Sequence, residues 1–136
     1  MKVFKFGGAS VKDAAGVKNV ASIIKNYTGG NAVIVVSAMG KTTNALEQIV
    51  NLCYAKNDYN EAISQLYKHH QTIVDDLHIH VELSYFIDLI IQQIEGNRQM
   101  TYPQYYDQVV SVGELISSSI LSAYLSQQNI GNTWMD

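Results

Sequence analysis

The stretch Ala32-Val33-Ile34-Val35-Val36 constrains this chain more than any other. It is an unbroken apolar run, almost wholly β-branched, held between Gly29-Gly30 and Ser37. A strand with one wet face would alternate polar and apolar residues. A continuous run bounded by turn residues reads instead as a strand buried on both faces, as in a parallel sheet. Parallel neighbours need a crossover, and the preceding residues supply one. Lys2 to Phe6 reads as a short strand ended by Gly7-Gly8. Asp13 to Tyr27 reads as a helix, with Val17, Val20, Ala21 and Ile24 on one stripe. The three elements make a βαβ unit, expected to cross over right-handed.

The middle of the chain has helical periodicity. Leu46, Ile49, Val50 and Cys53 form one stripe, and a helix is expected to start near Ala45. Tyr59, Ala62, Ile63, Leu66, Tyr67, His70, Ile73, Val74 and Leu77 form a longer one. Leu83, Phe86, Ile87, Ile90, Ile91 and Ile94 form a third, stopped by Gly96-Asn97. A Tyr-rich link containing Pro103, the single proline, should precede a last helix from about Ser111 to Gln128, capped by Gly131. Asn132 to Met135 then reads as the start of a third strand. The expectation is an α/β chain whose sheet is incomplete, one part of a larger domain.

With 136 residues, 47% hydrophobic and 15% charged, the composition is that of a single globular domain. A net charge of -3 leaves no basic footprint for nucleic acid. The amino terminus carries a charge inside its only apolar stretch, which argues against a signal peptide. The uninterrupted apolar runs are too short to cross a bilayer, and the lone Cys53 has no internal disulfide partner. A soluble cytoplasmic protein is expected, with no membrane or nucleic-acid partner and with Cys53 as a small core residue.

Three segments could carry chemistry. In Lys5-Phe6-Gly7-Gly8-Ala9-Ser10, a lysine sits near the carboxyl end of a strand, the edge where open α/β sheets bind ligands. The glycines allow close backbone approach, and a following helix start can offer N–H groups to an anion. A phosphate seat and a plain strand-to-helix turn with a snorkelling lysine both account for the pattern. The second segment, Ser37-Ala38-Met39-Gly40-Lys41-Thr42-Thr43-Asn44, follows the apolar strand directly. Gly40-Lys41-Thr42 has the ending of a P-loop, but Val35 occupies the place of its first glycine, so the Walker reading fails. What remains is a polar loop at the ligand edge, or a cap by Thr43 or Asn44. In the third, Ser111 and Glu114 have capping-box spacing. The four histidines have no companion ligands at metal-site spacing, so no metal site is expected. Tyr102, Tyr105 and Tyr106 lack basic companions for base stacking and should pack on neighbouring helices.

Taken together these segments are far more specific than any one alone. Lys-Phe-Gly-Gly-x-Ser-Val at the amino terminus, Val-Val-Ser-Ala-x-x-x-x-Thr-Asn about thirty residues on, and Ser-x-Gly-Glu-x-x-Ser-Ser later resemble the aspartate kinases of the amino-acid kinase superfamily. The closing Trp134-Met135-Asp136 does so too. Ala9 stands where that family usually has Thr. The resemblance implies a partial three-layer α/β/α fold, mostly parallel, with residues 1–136 as the amino-terminal part of one catalytic domain. It implies transfer of the γ-phosphoryl group of ATP, brought with Mg2+, to the side-chain carboxylate of L-aspartate. By resemblance Lys5 neutralises the transferring phosphoryl group while Phe6, Gly7, Gly8 and Ser10 shape its seat. Ser37 and Thr43 hold aspartate, and Glu114 pairs with its ammonium group.

The same resemblance implies that the substrate arginine, the catalytic aspartate, the adenine pocket and the regulatory domains lie beyond Asp136. Arg98, the chain's single arginine, belongs to an inter-helix turn and is a poor substitute. An aspartate kinase part, inactive alone, is the leading expectation. A non-catalytic small-molecule binding or assembly module, and a kinase for another amino acid, are the alternatives. The incomplete sheet should leave an unpaired edge through which the chain self-associates.

Overall fold

A computed structural model describes residues 1–96 and 99–136. The chain forms β1 (Lys2–Phe6), a 3-10 turn (Gly8–Val11), α1 (Ala14–Tyr27), β2 (Ala32–Val36), α2 (Thr42–Tyr54), α3 (Asn60–Leu77), α4 (Leu83–Gly96) and α5 (Tyr102–Gln127). It is the expected α/β class, with a parallel sheet and a helical middle. β1 and β2 pair in parallel, from Lys2 opposite Ala32 to Phe6 opposite Val36. Asp13 caps α1 by accepting the Gly16 N–H at 2.8 Å, and Val17, Val20, Ala21 and Ile24 are its buried stripe.

Side chains alternate across a sheet, and here only one face meets the helices. Val36 is buried, and Phe6 and Ile34 pack against the core beside it. On the other face Val3 is 65% and Val35 43% exposed, and Lys5 shares that face. The expectation of a β2 buried on both sides is therefore corrected. Its unbroken apolar run supplies a second apolar face, on which Val33 is half-buried and Val35 stays exposed.

The largest departure lies near the carboxyl end. The Tyr-rich stretch is not a link but the first turns of α5. Gln104 Oε1 accepts the Thr101 backbone N–H at 2.9 Å in a capping box, and Pro103 sits in the first turn, where its missing N–H costs nothing. Ser111 and Glu114 are consequently in mid-helix and cap nothing. The helix continues through them because Tyr105, Val109, Val112, Ile116 and Ile120 form one buried stripe. Gly131 is not the cap either. Asn129 takes the left-handed conformation, φ +57°, and Ile130 N–H reaches Leu125 O at 2.9 Å in a Schellman closure. Residues 131–136 form no strand. Trp134 instead donates its indole N–H to Ser118 Oγ at 2.9 Å and meets Phe86 edge-on.

α5 packs on α1, α2, α4 and β2. Its most apolar 18-residue window, mean hydropathy 1.4, would satisfy a bilayer, but half of it is buried inside the protein. It is the central helix of the core. Tyr54 meets both Tyr102 and Tyr105 edge-on, so the tyrosines pack between helices as expected. Cys53 is only half-buried, and burial pushes its thiol pKa up, with Glu95 adding to the effect. Asn97, expected to help stop α4, lies outside the described residues.

An uncovered sheet face bearing Val3 and Val35, on strands with free edges, predicts association between copies of the chain. Light scattering at high protein concentration should report species larger than a monomer. Replacing both valines by lysine should shift the distribution toward monomer. A monodisperse wild-type monomer would contradict this.

Candidate active site

The three polar segments meet at the carboxyl end of the sheet. Beyond β2, the Ser37 N–H donates to Phe6 O at 3.0 Å, which extends the ladder by one residue. Gly40 N–H then donates to Gly8 O at 3.0 Å. The approach is so close that a Cβ on Gly8 would lie 2.4 Å from the Ala38 carbonyl oxygen. From the other side comes α5. A Cβ on Gly113 would stand 3.0 Å from both Ala38 Cβ and Leu46 Cδ1, and 3.2 Å from Thr42 Cγ2. One turn further, Ser117 is fully buried and donates its hydroxyl to Ser37 O at 2.8 Å, across 80 residues of sequence.

This arrangement places each residue singled out in the sequence. Ser37 is half-buried between Phe6 and Ser117. Thr43 is half-buried within the first turn of α2, which starts at Thr42 with Lys41 at the cap position and no side-chain cap bond. Neither Thr43 nor Asn44 is the cap. Glu114 follows the packed Gly113 directly and is exposed, with no hydrogen bond or ion pair from its carboxylate among the described residues. Gly7 is exposed with open space around it, and Ser10 is exposed, its N–H donating to Gly7 O at 2.9 Å. Phe6 is half-buried against the core. Lys5 is exposed on the uncovered sheet face, one residue before the ladder reaches Ser37, and no described residue pairs with its ammonium group. Arg98 lies outside the described residues.

Sequence reading missed one polar pair. His70, 1% exposed, donates from Nδ1 to Leu66 O at 2.9 Å and accepts from Thr42 Oγ1 at 3.1 Å through Nε2. The neutral ring thus ties the first turn of α2 to the middle of α3. Burial drives its pKa down to about 4, outweighing the Leu66 hydrogen bond that acts the other way. Its place in the apolar stripe of α3 foretold the burial. Nothing in the sequence pointed to Thr42, 28 residues earlier.

A model of the amino acid kinase family matches residues 1–136, and the chain belongs to that family. Within it the sequence resembles the aspartate kinases. It is 36% identical to Aspartokinase 1, chloroplastic, of Arabidopsis thaliana over 91% of this chain and 23% of that protein. It is 28% identical to the bifunctional aspartokinase/homoserine dehydrogenase 2 of Escherichia coli (strain K12) over 99% of this chain and 17% of that protein. The crystal structure of Clostridium acetobutylicum aspartate kinase matches with a TM-score of 0.78 at 25% identity, over 93% of this chain and 29% of that one. The E. coli aspartokinase III in complex with aspartate and ADP has a TM-score of 0.75 at 22% identity, over 95% of this chain and 29% of that one, a likeness of fold alone. The chain thus spans less than a third of the length of each of these relatives.

Two tests follow from the packing. Gly113→Val should force a branched side chain against Ala38, Leu46 and Thr42, lowering stability by about 1–3 kcal/mol. A clear fall in the thermal midpoint by circular dichroism is expected, and an unchanged midpoint would contradict the close approach. For His70 the folded state favours the neutral ring, so its contribution is complete above the unfolded pKa of about 6.5. It is lost as pH falls from there toward about 4. The loss should reach about 3 kcal/mol in urea unfolding. The His70→Gln variant should lack this component of the pH profile.

Proposed function

We propose that this chain carries the aspartate and phosphate side of an aspartate kinase catalytic domain. The reaction passes the γ-phosphoryl group of ATP to the side-chain carboxylate of L-aspartate, giving 4-phospho-L-aspartate and ADP. A carboxylate oxygen forms the new bond to phosphorus as the bond to the bridging oxygen of ADP breaks. The attacking carboxylate has an ordinary pKa of about 3.9, so it is already ionised and needs no general base. Phosphoryl transfer is then chiefly positioning and charge neutralisation. The observation that carries this reading is the joining of three distant segments by Phe6, Gly8 and Ser117 around Ser37–Gly40.

The assigned roles follow the chemistry of each side chain. Lys5 supplies a cation for the transferring group. Gly7, Gly8, Phe6 and Ser10 shape the turn beside it, where backbone approach is close. The hydroxyls of Ser37 and Thr43 hold aspartate, and the Glu114 carboxylate faces its ammonium group. A free amine on the acceptor suits Glu114, which favours aspartate over an N-acylated amino acid. Mg2+ binds through carboxylates and substrate phosphates. Among the described residues no group of three or more His, Cys, Asp or Glu converges, so this chain's residues do not by themselves make a site for the ion.

The test is a coupled assay for ADP release. It should be run on the 136-residue chain and on the chain continued by the downstream residues of an aspartate kinase such as that of C. acetobutylicum. The chain alone should not turn over, and the continued chain should consume ATP in response to aspartate. There Lys5→Met should lower kcat by about 100-fold or more, the scale seen when one charge-stabilising group is removed. Glutamate or N-acetylglutamate serving as well as aspartate would overturn the substrate. Ligand binding without turnover in the continued chain would favour a binding or assembly module instead.

A further inference from the structure

A cavity of about 430 Å3 opens in the cleft between α2 and α3, bordered at one end by Gly40 of the loop that follows β2. That volume falls within the range of small-molecule sites. Helical spacing makes it. Lys41, at the cap position of α2, lines it with Ala45 and Gln48 of that helix, and Ala62, Leu66 and His69 line it from α3, each set on one helix face. Where the helices would otherwise touch, they present the two alanines, whose short side chains leave the space open. Leu66, 2% exposed, gives it an apolar wall.

The charges around it are one-sided. Lys12 and Lys41 both line the cavity, and the ammonium group of neither forms an ion pair or hydrogen bond with a described residue. No acid lines it. Glu61 does not line it, but its carboxylate accepts the side-chain amide of the lining Gln65 at 3.0 Å. Gln48 is exposed and also without a side-chain partner among the described residues. Thr42 lines the cavity but its hydroxyl is committed to His70. Two free ammonium groups beside an apolar hollow suit a ligand with an anionic head and a short apolar body.

We infer that the α2–α3 cleft is a second ligand site, taking a small organic carboxylate whose charge meets Lys12 and Lys41 and whose apolar body lies between Ala45, Ala62 and Leu66. The site uses none of the side chains assigned to the proposed phosphoryl transfer, although Gly40 of the neighbouring loop forms part of its wall. Its position against the first turn of α2 makes Thr42 a shared wall.

Benzoate is a suitable probe, with its neutral counterpart benzamide and inorganic phosphate as controls. Titration of the isotopically labelled 136-residue chain, followed by amide NMR shifts, should give saturable changes at residues 40–48 and 62–69. Benzamide should bind about tenfold more weakly, the scale of one lost charged hydrogen bond. The double variant Lys12→Gln with Lys41→Gln should show the same loss for benzoate. Ala62→Leu should block benzoate by filling the hollow, with circular dichroism reporting that the fold is kept. Equal binding of benzamide would overturn the charge assignment. Phosphate producing the same saturable shifts as tightly as benzoate would overturn the apolar one. Shifts confined to Val3, Lys5 and Val35 on the open sheet face, or none that saturate, would overturn the site itself.

Discussion

Ala38 is the pivot of this molecule. It is held between Gly8 on one side, where a Cβ would collide with its carbonyl oxygen, and Gly113 on the other, where a Cβ would fit only tightly. Those contacts bring the turn after β1, the loop after β2 and the middle of α5 within hydrogen-bond reach. The bonds then formed, Ser37 to Phe6, Gly40 to Gly8 and Ser117 to Ser37, satisfy backbone groups that would otherwise be stranded where the strand ends. Close packing comes first and the polar network depends on it. The exposed neighbours, Ser10, Lys41 and Glu114, inherit their positions from this buried clasp.

The helices brace the same loop from below. α5 runs through the centre of the fold and offers alternate faces to the neighbouring helices and to β2. His70 reaches from α3 to Thr42, so the first turn of α2 is fixed by a buried hydrogen bond rather than by a cap. A neutral histidine is tolerated there because both ring nitrogens have partners. The opposite side of the sheet has no such support. Lys5 lies with Val3 and Val35 on a face left to solvent, consistent with a chain that spans less than a third of the length of its relatives.

Where hydrophobic periodicity was strong, the sequence was sufficient. β1, α1 and β2 were legible to within a residue, because a β-branched run and an i, i+3, i+4 stripe admit few alternatives. The beginning of α5 was not legible. Tyr102 to Val110 looked like a link because a proline and three tyrosines masked the stripe, and the true cap at Thr101 and Gln104 lay earlier than the one read at Ser111 and Glu114. The strand expected at Asn132 to Met135 also failed. A strand exists only when a neighbour takes up its ladder, and here Trp134 binds Ser118 instead.

The sequence by itself settled the βαβ start, the helical middle and the residue types of the three polar segments. Those are local matters, governed by side-chain period and by what glycine permits. Tertiary structure decided that Gly8 and Gly113 close on one alanine, that Ser117 bonds to Ser37, that His70 finds Thr42, and which sheet face stays open. Each of these is a contact between residues far apart in the chain. Only the packing of whole elements against one another can choose such partners.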